Sequence, residues 1–363
     1  MEYTIVHRDP QAFQQPVALK HIKAMCERAF GQATPIELVR ELDGGQFNNT
    51  YLIELAEHGS VILRVAPSPE RAVFWHERCL MRRELAMQPL LAPIALLLPT
   101  ILMTDFTHQV IDRDYLFQHW MPGELWWDVQ QDLTPQEHDD LWRQFGRLVK
   151  AISSVGGDAF GLVQSGAQFP TWSLALIDWL ECTIADADNS SLDTAPLCRL
   201  LELVGDHTVF LDEITCPRLL HGDLWLFNLL IERTKEGPRI VGVLDADRGS
   251  WGDPLADWTF FLLSRRASPQ EQALFWQDYG QPGAGPGEMF RAQVYQGLHQ
   301  GKILSVARRD GNERVVNKAY RALEDVVNAL QFPRTPLLPS LPGASCASRG
   351  SDPGTLGTGA SSR

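Results

Sequence analysis

The hydrophobic periodicity of the chain changes character once, and that change sets the fold class. Between positions 36 and 65, short runs of apolar and β-branched residues (36–39, 51–55 and 61–65) are separated by Gly44-Gly45 and Gly59. This is the pattern of strands joined by turns. An Arg- and Glu-rich helical stretch over 72–87 follows, then a proline-broken run, then a strand-like run over 115–121 closed by Pro122-Gly123. Beyond it, apolar residues recur at three- and four-residue spacing over 135–153, 171–186, 195–213, 255–263, 290–307 and 313–330, the signature of helices burying one face. Two strand-like runs, 229–231 and 240–244, interrupt them. An opening helix over 16–30 is expected, with Leu19, Ile22, Cys26 and Ala29 on one face. The architecture expected is α+β: a small antiparallel-sheet lobe over 1–121, a larger mainly helical lobe over 122–332, and a Pro-, Gly- and Ser-rich tail over 333–363 of disordered composition.

Length and charge narrow the classes. At 363 residues, the chain exceeds the size at which one core stops growing, so two lobes are expected. The 32 basic and 45 acidic side chains give a net charge of −13, which repels a phosphate backbone and draws in a small cation. No nucleic-acid partner is expected. The six cysteines are scattered without C-x-x-C pairing, against a zinc site or a disulfide framework. The most apolar run, 90–103, is broken by Pro93 and Pro99, too short to span a bilayer, and the first residues lack a signal-peptide pattern. A cytoplasmic protein with no membrane partner is expected.

The chemistry is carried by His221-Gly222-Asp223-Leu224-Trp225-Leu226-Phe227-Asn228, followed after a strand-like hairpin by Leu244-Asp245-Ala246-Asp247. An Asp and an Asn with four residues between them, beside a strand ending in another Asp, suit a loop that holds an acceptor hydroxyl next to a metal-bound nucleotide. Asp223 can accept or orient the hydroxyl proton, and Asn228 and Asp245 offer the hard oxygen donors that Mg²⁺ prefers. Any one of these residues alone reads equally as a turn or cap residue; their ordered spacing is what points to a site.

These segments, with Gly252-Asp253-Pro254 and Asp257, resemble the aminoglycoside phosphotransferase family, relatives of the protein kinases, over about residues 35–265. The resemblance implies a two-lobed protein-kinase-like fold and ATP-dependent phosphorylation of a hydroxyl on a small molecule. It implies that Asp223 is the catalytic aspartate, that Asn228 and Asp245 are magnesium ligands, and that Asp253 and Asp257 buttress the catalytic loop. Gly44, Gly45 and Asn49, in the turn before the 51–55 run, match the nucleotide loop, although a plain hairpin turn fits the same residues. Arg64 takes the place of the kinases' phosphate-pairing lysine. Its acidic partner is expected at Glu84, with Glu77 the rival two turns earlier on the same helix. His119 and Met121 fall in the segment between lobes, whose backbone holds the nucleotide base.

The acceptor is left open between an antibiotic and a hydroxylated metabolite. The −13 balance suits a polycationic acceptor, whereas the apolar residues 224–227 of the catalytic loop suit a less polar one. Trp225, Trp251 and Trp258 read either as an apolar wall beside the acceptor or as core. The competing function is a catalytically silent kinase-like ligand-binding protein.

Overall fold

The computed structural model describes residues 2–8, 13–32, 34–43, 45, 47–164 and 166–331. The expected tail over 333–363 and Gly44 of the expected nucleotide loop lie outside the described residues.

The first half of the chain builds β1 (Glu2–Thr4), α1 (Leu19–Phe30), β2 (Ile36–Leu42), β3 (Asn49–Leu55), β4 (Gly59–Val65), α2 (Leu80–Leu90), β5 (Ile101–Asp105) and β6 (Tyr115–His119). The six strands form one sheet in the order β1-β2-β3-β4-β6-β5. All pairs are antiparallel except β1, which lies parallel to β2 and was not anticipated from sequence. Strand alternation assigns the faces. Tyr51, Ile53, Val61, Leu63, Val65, Tyr115 and Phe117 pack on Ile22, Met25 and Cys26 of α1, close to the expected stripe. Arg64, between Leu63 and Val65, therefore points off the opposite face of β4, together with Ile62.

α2 is shorter than the sequence suggests. Cys79 adopts a left-handed conformation with φ 56°, so the helix begins at Leu80, and Trp75–Glu77 form a separate 3₁₀ turn. Glu77 and Glu84 are consequently not on one helix. The segment also belongs to both lobes. Trp75 packs against Trp179, its indole N–H donates to Thr183 Oγ1 at 3.1 Å and its backbone N–H to Asp186 at 2.9 Å. Met87, Leu91, Ile94 and Leu98 are buried in the core of the helical lobe.

That lobe contains β7 (Glu124–Leu125), α3 (Trp126–Val129), α4 (Pro135–Ser153), β8 (Phe160–Leu162), β9 (Gln168–Phe169), α5 (Trp172–Asn189), α6 (Ala195–Asp206), α7 (Thr208–Leu211), β10 (Arg218–Leu220), β11 (Leu229–Thr234), β12 (Gly237–Val243), β13 (Ser250–Gly252), α8 (Trp258–Arg266), α9 (Pro269–Tyr279), α10 (Pro286–Arg309) and α11 (Glu313–Gln331). A Thr134–Glu137 capping box with Pro135 in the first turn starts α4. Its apolar face meets α9 so closely that a Cβ on Gly146 would stand 2.3 Å from the Phe275 carbonyl oxygen. The single helix expected over 195–213 is broken at His207, and the one expected over 255–263 is a 3₁₀ turn followed by α8.

Two antiparallel pairings position the site. β10 pairs with β13, and β11 with β12. The loop leaving β10 (221–228) and the loop leaving β12 (244–249) therefore emerge at neighbouring strand ends.

Candidate active site

Asp223, Asn228 and Asp245 are brought together by that pairing. Asn228 and Leu244 are joined by a backbone hydrogen bond of 2.9 Å, from the Leu244 N–H to the Asn228 carbonyl, so Asp245 lies one residue beyond the neighbour of Asn228. The Asn228 side-chain amide donates to the Asp223 carbonyl at 2.7 Å. This commits its nitrogen and leaves its oxygen to face a cation. Asp245 adopts φ 55° and keeps 44% of its side chain exposed.

The loop is held from below. Asp257 is buried and accepts the N–H groups of His221 at 2.7 Å and Gly222 at 3.2 Å through one oxygen, and the Thr259 N–H at 3.1 Å through the other. The Thr259 hydroxyl donates to the Leu224 carbonyl at 2.9 Å. His221 is buried, its pKa is lowered by desolvation, and its Nδ1 accepts the Asp223 N–H at 3.4 Å. It is a neutral strut of the loop. Gly222 has φ +82°, and a Cβ there would lie 2.2 Å from the Arg248 carbonyl oxygen. Gly222→Ala is expected to displace one loop from the other and to cost on the order of 1–3 kcal/mol of backbone strain; the melting temperature and soluble yield of the variant check it.

Arg64 links the sheet to these loops. Its Nη1 contacts Glu84 at 2.6 Å, and its Nη2 contacts Asp245 at 2.8 Å and Asp247 at 3.5 Å, all with Arg64 buried. Burial works to lower the guanidinium pKa, but Glu84, Asp245 and Asp247 outweigh it, so the charge is retained. Burial raises the Glu84 carboxyl, with Asp247 and Asp245 adding and Arg64 opposing. Glu77 instead pairs with Arg309 of α10 at 2.6 Å, so the contact to Arg64 is made by Glu84 and not by its rival.

Burial also raises the Asp223 carboxyl to about 7; Arg248 opposes this, and Asp247, Asp245 and Asp257 reinforce it. Arg248, whose Nε is 3.4 Å from Asp223 Oδ2, is the nearest cation to that carboxylate. It was not singled out from sequence, although its place three residues after Asp245 on the second loop was a usable signal. Asp247 was quoted there without a role. It is buried beside Arg64, and its backbone carbonyl accepts from Arg83 at 3.4 Å.

The remaining expected residues are spread over the sheet side. Gly45 sits in the turn between β2 and β3, where Phe47 contacts Phe13. Asn49 is fully buried at the start of β3, donating to Glu41 at 2.9 Å and accepting from Arg113 at 2.7 Å. Both ends of its side chain serve the sheet interior. His119 ends β6 and is exposed, and Met121 is half-buried just beyond. Of residues 224–227 in the loop after β10, Leu224, Trp225 and Leu226 are buried in the helical lobe's core, and only Phe227 is exposed. Their apolar character serves packing, so it says nothing about acceptor polarity. Trp225 stacks edge-on with Trp142 and Phe145, Trp251 covers Gly157, and Trp258 stacks on Phe261.

Among the described residues, no group of three or more His, Cys, Asp or Glu side chains is arranged to hold a metal by itself, and no helix is long and apolar enough to cross a membrane. Two oxygen donors, Asn228 and Asp245, fit a Mg²⁺ whose remaining ligands are water and substrate phosphates, as that ion prefers.

The sequence profile of the phosphotransferase enzyme family matches residues 38–290. The chain belongs to that family. No curated protein matches it by sequence. Among solved structures, it is similar to the aminoglycoside phosphotransferase APH(4)-Ia in a thermostable mutant's ternary complex with AMP-PNP and hygromycin B (19% identity, 85% of this chain and 98% of that one, TM-score 0.59). It is similar to the GDP and kanamycin complex of APH(2'')-IIIa (18% identity, 86% and 99%, TM-score 0.59). A protein from Haemophilus somnus 129PT assigned as a fructosamine-3-kinase shares the fold too (16% identity, 84% and 96%, TM-score 0.60). The family member described here thus has the two-lobed kinase-like fold expected from its motifs.

Proposed function

We propose that this phosphotransferase moves the γ-phosphoryl group of ATP to a hydroxyl of a small molecule, with Asp223 as the catalytic residue. The observation that carries the reading is the convergence of Asp223, Asn228 and Asp245 on one strand end, tied to the sheet through Arg64. The acceptor oxygen attacks the γ-phosphorus, the bond to the bridging oxygen breaks, ADP leaves, and the hydroxyl proton passes to Asp223. Mg²⁺ bound by Asn228 and Asp245 would neutralise charge on the phosphates. Arg64, fixed by Glu84, offers the nucleotide a preformed guanidinium. Backbone groups of the turn carrying Gly45, and of His119 and Met121, would hold the phosphates and base.

Purified protein incubated with γ-labelled ATP or GTP, Mg²⁺ and a panel of hydroxyl compounds checks the assignment. Label should pass to an acceptor, and chelation of Mg²⁺ should stop it. Nucleotide binding without transfer to any acceptor would favour a silent binding protein. Arg64→Lys should raise the KM for the nucleotide about tenfold or more, because a point ammonium cannot span Glu84 and Asp245 as the guanidinium fork does. An unchanged nucleotide KM would remove Arg64 from the phosphate site.

A further inference from the structure

Residues 13–17, ahead of α1, make contacts that the reading above does not use. Gln14 is buried, and its side-chain amide donates to the Asn48 carbonyl at 2.7 Å. The ring of Phe13 stands 5.4 Å from that of Phe47. Two adjacent residues of this segment thus grip two adjacent residues of the turn between β2 and β3. The segment is itself fixed on the same sheet. The Val17 N–H donates to the Tyr51 hydroxyl at 2.9 Å, and the Gln15 carbonyl accepts from Arg113 at 3.3 Å. Arg113 also donates to Asn49, the first residue of β3, at 2.7 Å.

Phe13 reaches the larger lobe as well. The guanidinium of Arg309, the last residue of α10, lies over the Phe13 ring at 4.4 Å and over the Phe74 ring at 4.8 Å. Glu77 holds Arg309 in place: its carboxylate takes two guanidinium nitrogens, at 2.6 and 2.9 Å, and accepts the Phe74 N–H at 3.0 Å. Arg64 joins the sheet to the loops around Asp223 from within the protein. Phe13 and Arg309 join the two lobes a second time, at the turn that carries Gly45 and Phe47.

A turn rich in Gly and Asn has little preference for one backbone shape. A ligand that needs its N–H groups aligned must therefore order it, and that ordering subtracts from affinity. Contacts that order the turn beforehand remove the loss. We propose that Phe13 and Gln14 are positioning residues for the nucleotide, holding the β2–β3 turn in its phosphate-binding shape by tying it, through Arg309, to α10 of the larger lobe; this rests on reading that turn as the nucleotide loop. A triphosphate touches the turn and gains from the tie. Adenosine, which has no phosphate to place there, does not.

Phe13→Ala should weaken the binding of Mg²⁺ and AMP-PNP about fivefold or more, the scale of an aromatic pair together with a cation over its ring. Phe13→Tyr, which keeps the ring, should restore it. Phe13 is half-buried, so the ligand-free melting temperature of Phe13→Ala should stay within about 2 °C of the wild type. Its affinity for adenosine should be unchanged. Phe47→Ala should lose part of the AMP-PNP affinity, and the double variant should bind no more weakly than Phe13→Ala alone, because both substitutions remove one ring contact. Calorimetry with AMP-PNP and saturation-transfer NMR with adenosine read these affinities. Undiminished AMP-PNP binding by Phe13→Ala would overturn the inference and leave the phosphotransferase reading standing. So would an equal loss of adenosine affinity, which would mean a general loosening of the sheet, or additive losses in the double variant. A wild type that bound neither AMP-PNP nor adenosine would overturn both.

Discussion

Asp223→Asn should lower kcat by about 10²–10⁴-fold, the range that a positioned acid–base group supplies, while making the protein no less stable at pH 8. The two outcomes share a cause. The Asp223 carboxyl is largely shielded from water and, against the opposing Arg248, crowded by Asp247, Asp245 and Asp257, so its pKa stands at about 7 rather than the ordinary 3.8. A carboxyl raised in this way stabilises the folded state below its unfolded pKa, near 4, and that contribution is lost as the pH rises through about 7. The amide carries no charge at any pH, so the wild type should lose stability relative to Asp223→Asn between pH 4 and 7. In the wild type, kcat/KM should climb to a plateau above about pH 7, because the proton acceptor must be ionised in the free enzyme. Melting curves from pH 4 to 8 and a pH–rate profile check both. Retention of most activity in the asparagine variant would remove Asp223 from the chemistry.

Asp257→Ala should produce the largest loss of stability. It strips the acceptor from the N–H groups of His221, Gly222 and Thr259, the first and last of them buried, and each orphaned donor costs about 1–3 kcal/mol. A total of roughly 3 kcal/mol or more corresponds to a fall of about 4 °C or more in melting temperature for a chain of this size. Activity should fall with it, since His221 and Gly222 set the position of Asp223. Asp257→Asn, which keeps one acceptor oxygen, should lose less. A variant that melted like the wild type yet was inactive would mean that Asp257 takes part in the reaction instead of supporting the loop.

Much of this site was legible in the sequence, because its central residues are close together along the chain. Asp223, Asn228 and Asp245 lie on two loops joined by a single hairpin, and apolar runs on either side of that hairpin announce it. The buttressing role of Asp257 was legible for the same reason. α9 was missed although its start was written plainly: Ser268 and Glu271 form a capping box around Pro269. Its apolar positions are too few, with only Leu274 and Phe275 buried, for periodicity to find it. β10 and β13 were missed because three-residue strands carry no alternation to read.

The choice between Glu84 and Glu77 could not be made from spacing. It turned on the left-handed Cys79, which separates a 3₁₀ turn from α2 and sends one glutamate to Arg64 and the other to Arg309. The apolar stretch over 224–227 was likewise ambiguous until burial showed Leu224, Trp225 and Leu226 facing the core. The sequence by itself determined the α+β class and singled out Asp223, Asn228 and Asp245 as a group, since periodicity and short-range spacing are properties of a local stretch of chain. The tertiary structure alone decided which charges meet. Arg64, Glu84 and Asp247 come from three distant segments, and a potential summed over such groups depends on distances that no stretch of sequence contains.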